Sequence, residues 1–115
     1  MFKKVFNFIK MNLVETFNSL VQNYKDKIAY TFLAFGEDKA ITITYSELEI
    51  KAKAVAAHLQ EKYQTGDRAI LLFDTGLDFI VSLWGCFLSG IVAVPIHPPT
   101  DMRSVGKLLN IFKDA

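Results

Sequence analysis

Apolar positions along this chain recur with two different periods, and the switches between them mark out its elements. From Leu13 onward, Val14, Phe17, Leu20, Val21 and Tyr24 follow at helical spacing, and Asn12 with Glu15 has the spacing of a capping box. Upstream, Phe2, Val5, Phe6 and Ile9 share a helical face with Leu13, so residues 2–24 form one helix or two; the pattern leaves both open. Residues 28–35 and 40–45 are rich in β-branched and aromatic side chains around the polar turn Gly36-Glu37-Asp38-Lys39, which predicts an antiparallel hairpin. Ile41, Ile43 and Tyr45 fall on one face of its second strand, and Thr42 and Thr44 on the other. Ser46 with Glu49 predicts a capping box opening a helix to about Tyr63, whose buried stripe is Leu48, Ala52, Val55, Ala56, Leu59 and Tyr63.

The next stretch organises the rest. The turn Thr65-Gly66-Asp67 leads into an apolar run from Ala69 to Phe73, and Asp74-Thr75-Gly76 leads into a helix-length segment from Leu77 to Ser89. Gly90 ends that segment, and a second apolar run from Ile91 to Ile96 closes on His97-Pro98-Pro99. Strand, helix and strand with short turns make a βαβ unit, and runs apolar on both faces suit a buried parallel pair. Asp74 or Thr75 is the expected cap of the middle helix, which is apolar nearly all round and so needs cover on several sides. Thr100 or Asp101 caps a last helix with Met102, Val105, Leu108, Leu109 and Phe112 expected inward. The fold class is therefore α/β: a β-hairpin plus a βαβ parallel-sheet unit with flanking helices. A crossover helix with no strand after it reads as an interrupted unit.

Composition narrows the function classes. The chain has 115 residues, 51% of them hydrophobic, which is enough for a real core and excludes a disordered chain. A net charge of +1 and the lack of any basic stripe interleaved with aromatics give no nucleic-acid signal. The single cysteine, Cys86, sits in an apolar helix and suits a reduced, cytoplasmic setting. Phe79 to Ile96 runs 18 residues without a charge, at the lower edge of membrane-spanning length. Gly85, Gly90 and Pro95 punctuate it, however, and its β-branched residues crowd the last third, as in a helix passing into a strand. Residues 1–11 form a basic amphipathic N-terminal extension with Lys3, Lys4 and Lys10 and no acid; a first helix docking on the domain is the favoured reading, and peripheral membrane contact is the alternative.

Candidate chemistry is sparse. Asp74-Thr75-Gly76 after an apolar run has the form of an aspartic-protease loop, and a retropepsin-like enzyme would pair two such loops across a dimer. That chemistry needs an all-β frame, whereas a helix is expected directly after Gly76. No GxGxxG or GxxxxGK[ST] loop lies between a strand and a helix. Asp74 and Asp78 would oppose an anion at the start of the Leu77 helix. His58 has no ligand partner one helical turn away. His97 lies past the carboxyl end of a predicted strand, where open α/β sheets gather ligands. A loop histidine held by two prolines is the favoured reading.

Taken together, several stretches resemble the adenylate-forming enzymes, the superfamily of acyl-CoA synthetases, peptide-synthetase adenylation domains and luciferases. Ile43-Thr44-Tyr45-Ser46-Glu47-Leu48 resembles the first core motif of that family, and Lys53 to Leu59 its following helix. Thr65-Gly66-Asp67-Arg68 resembles the next turn, and Gly85 to Ile96 the second core motif. The continuation His97-Pro98-Pro99 is most similar to fatty acyl-AMP ligases. The resemblance covers nearly all of residues 28–115. It implies a partial AMP-binding (adenylation) domain over 1–115, the opening of the family's large domain.

What the resemblance implies about activity is ATP-dependent conversion of a fatty acid to an acyl-adenylate, with Mg and release of pyrophosphate. Transfer of the acyl group to a carrier-protein thiol or to CoA would follow. The family's phosphate loop, adenine and ribose region, hinge and catalytic lysine have no counterpart in these residues. No catalytic, cofactor-binding or metal residue is carried over, and the chain alone is expected to be inactive, to hold no cofactor and to self-associate through uncovered apolar surface. The alternative is a non-catalytic module that docks on a partner or membrane.

Overall fold

The computed structural model describes residues 2–33, 40–73, 76–99 and 101–114. One uninterrupted helix, α1 (Phe2–Tyr24), opens the chain and settles the choice between one helix and two. Strands β1 (Ile28–Leu33) and β2 (Ala40–Thr44) pair antiparallel from Ile28 opposite Thr44 to Leu33 opposite Ala40, with an irregularity between Ile28 and Tyr30. The expected turn at Gly36-Glu37-Asp38-Lys39 lies outside the described residues. Helix α2 (Tyr45–Lys62) follows β2 directly.

Strand β3 (Arg68–Leu72), helix α3 (Leu77–Ser89) and strand β4 (Val92–Ile96) form the predicted βαβ unit. Its strands pair in parallel from Arg68 opposite Val92 to Leu72 opposite Ile96. The molecule is thus an α/β arrangement of two small two-stranded sheets, one antiparallel and one parallel, with helices against them. Phe79 to Ile96 is helix to Ser89 and strand from Val92, and no described helix is long and apolar enough to cross a membrane.

Helix α3 is the centre of the packing, as its all-round apolar surface requires. Phe17 and Val21 of α1, Ile43 of β2 and Leu48 of α2 form one buried cluster, against which Leu77, Ile80, Val81, Trp84 and Leu88 of α3 pack. On its other side α3 gives Cys86 to a second cluster with Leu71 and Ile91. Trp84 joins three elements: its ring stacks on Phe17 at 4.6 Å between centroids, and its Nε1 donates to the Tyr30 hydroxyl at 3.1 Å.

Three expectations are corrected. The capping box of α2 uses Thr44 and Glu47, two residues before the predicted Ser46 and Glu49. Both pairs fit the same pattern, and the earlier one wins because β2 ends at Thr44, leaving its side chain where the first free amides of α2 begin. Of the stripe expected to be buried on α2, Leu48, Ala52 and Ala56 are buried, but Tyr63, just past the end of the helix, is exposed. The last helix, α4 (Met102–Asp114), was expected to face inward, yet Met102 is 84% and Leu109 52% exposed. Val105, on the same expected face, is half-buried.

Candidate functional site

The two motif stretches come together as supports of the scaffold. In the first, Ile43 and Leu48 are buried on either side of the strand-to-helix junction. Between them Glu47 N donates to Thr44 Oγ1 at 3.2 Å, and Thr44 N donates to the Glu47 carboxylate at 3.0 Å. The backbone hydrogen bond from Thr44, followed by that of its side chain, holds the Glu47 carboxyl below the usual carboxylate range. Tyr45 N and Ser46 N donate to the carbonyls of Lys27 and Lys25 at 3.0 and 2.9 Å, which ties the start of α2 to the chain leaving α1.

In the second stretch Gly85 allows α3 to approach α2 closely. A Cβ there would lie 2.5 Å from Val55 Cγ1 and 2.7 Å from Val55 Cβ, closer than carbon atoms can sit. A lone glycine in an apolar helix was the available signal for such an approach, and neither this role nor the Trp84–Tyr30 bond was predicted. Gly90 ends α3 at φ 79°, a left-handed conformation that glycine adopts without penalty, and the amides of Gly90 and Ile91 both return to the Cys86 carbonyl. The Thr65-Gly66-Asp67 turn then fixes the strand register: Gly66 N donates to Gly90 O at 2.9 Å and Val92 N to Asp67 O at 2.7 Å. Asp67 also accepts from Gln64 N at 2.8 Å, so its carboxylate serves the turn.

Ligands of open α/β sheets collect at the carboxyl edge of the strands. Here that edge consists of Leu72 and Phe73 after β3, Gly76 at the head of α3, and Ile96-His97-Pro98-Pro99 after β4. His97 is exposed there. The head of α3 has Gly76 as its N-cap, with no side-chain cap, and Asp78 in the first turn. Those residues do not fit the phosphates of a nucleotide: a nearby carboxylate opposes the anion that the free amides would attract. The predicted caps Asp74 and Thr75 lie outside the described residues. The protease reading lacks its all-β frame, because the residues after Gly76 are helix.

Elsewhere the surface is shallow. A cavity of about 380 Å³ at the opposite end of the parallel pair is lined by Tyr63, Gly66, Asp67 and Arg68. Another of about 510 Å³ between α1 and α2 includes the Glu49–Lys53 ion pair at 3.3 Å. His58 is exposed on α2, and no three His, Cys, Asp or Glu side chains converge among the described residues. Burial pushes the Cys86 thiol up to about 11, which leaves it protonated and unreactive at neutral pH.

Residues 17–111 match the AMP-binding enzyme family. Among curated proteins the chain is 44% identical over 75 residues to the medium-chain-fatty-acid–[acyl-carrier-protein] ligase JamA of Moorena producens, covering 65% of this chain and 13% of that one. It is 35% identical over 106 residues to the long-chain-fatty-acid–AMP ligase FadD32 of Mycobacterium marinum, covering 90% of this chain and 17% of that one. Among solved structures it superposes on a fatty acid AMP ligase from Legionella pneumophila with a TM-score of 0.82 and 37% identity, covering 88% of this chain and 18% of that one. A fatty acyl-adenylate ligase of that organism, solved with acyl adenylate and pyrophosphate, matches at 0.80. The chain thus spans under a fifth of the length of these proteins.

Proposed function

The chain belongs to the AMP-binding enzyme family, and from that premise we propose that it is the N-terminal portion of a fatty acid-activating ligase. The reaction would join a fatty acid to AMP from ATP, release pyrophosphate and pass the acyl group to a carrier-protein thiol or to CoA. Mg would accompany ATP in the whole enzyme, and Cys86, buried and unpaired, suits a reducing cytoplasm. The observation that carries this reading is the overlay on the Legionella ligase over 88% of the chain at 37% identity. The local geometry supports a structural share in that reaction: both motif stretches spend their side chains on capping, close packing and strand register.

The chain alone should be catalytically silent. Incubated with ATP, Mg and a series of fatty acids, the 115-residue protein should release no pyrophosphate above background, and fatty-acid-dependent release would refute a purely supporting role. The coding sequence beyond Ala115 tests the rest. Continuation into a strand and a Ser/Thr/Gly-rich loop ending in lysine supports the ligase reading. A stop codon directly after Ala115 overturns it in favour of a non-catalytic docking module.

A further inference from the structure

We draw no further inference here: the strongest candidate, the face of the β3–β4 pair turned away from the Leu71–Cys86–Ile91 cluster, where Ile70 and Leu72 lie opposite Val94 and Ile96, is an apolar sheet face for which nothing in the structure shows what covers it.

Discussion

The hydrogen on Gly85 is all that the contact between α2 and α3 leaves room for. Gly85→Ala would set a methyl group 2.5 Å from Val55 Cγ1, so the helices must part or Val55 must leave its rotamer. Overpacking of this kind costs about 1–3 kcal/mol, measurable by urea unfolding followed through Trp84, the single tryptophan. Adding Val55→Ala removes the Cγ1 clash but keeps a Cβ at 2.7 Å, so it should restore part of that loss and not all of it. Unchanged stability in Gly85→Ala would contradict the close approach. The neighbouring Cys86 makes a second prediction. Its thiol, raised to about 11 by burial, should resist a disulfide reagent at neutral pH while the chain is folded and react promptly in denaturant. Rapid labelling of the native chain would mean that the Leu71–Cys86–Ile91 cluster opens readily.

Helix α2 starts where it does because of one pair of residues. Thr44→Ala should cost about 1 kcal/mol, whereas Ser46→Ala should change stability little, since Ser46 contributes its backbone amide to the Lys25 carbonyl. Equal effects would restore the capping box at Ser46 and Glu49. Glu47 adds a pH signature. Its folded carboxyl titrates below the ordinary range, so the ionised form stabilises the fold above that range and the benefit disappears as pH falls through it. The advantage of the parent over Glu47→Gln should therefore vanish in acid and reappear above the ordinary carboxylate value; a constant difference would assign it to packing. This cap also shows what the sequence could convey about elements. The βαβ unit was legible because its apolar runs, Gly66 and Gly90 are local signals. Two overlapping Thr/Ser-x-x-Glu patterns cannot be ranked without knowing where β2 ends. The stack of Phe17 on Trp84 and the bond from Trp84 to Tyr30 join residues far apart in the chain, and no local period encodes them. Of the candidate site, the position of His97 past the end of β4 was legible, but the structural duties of the two motifs emerged only with the packing.

Taken whole, the molecule buries its motifs well and its outer parts poorly. Phe17, Ile43, Leu48 and Ile91 are sealed inside, while α4 turns Met102 and Leu109 to solvent although its sequence is strongly amphipathic. The amphipathic period predicts the helix, but at Met102 and Leu109 it does not secure the inward packing expected of them. A face of this kind lowers its free energy by finding apolar contact, and at sufficient concentration a second copy supplies one. Sedimentation velocity of the 115-residue chain should accordingly show an average mass that rises with concentration. Met102→Lys with Leu109→Lys should return it toward the monomer, since each charge would have to be desolvated in the contact. Circular dichroism should be unchanged, because neither side chain is part of the two buried clusters. A monodisperse monomer across the accessible concentrations would show that the α4 face is too small to drive association. Assembly that survives both lysines would place the contact elsewhere, with Ile41 and Leu33 at the exposed end of the hairpin as the next apolar pair to substitute.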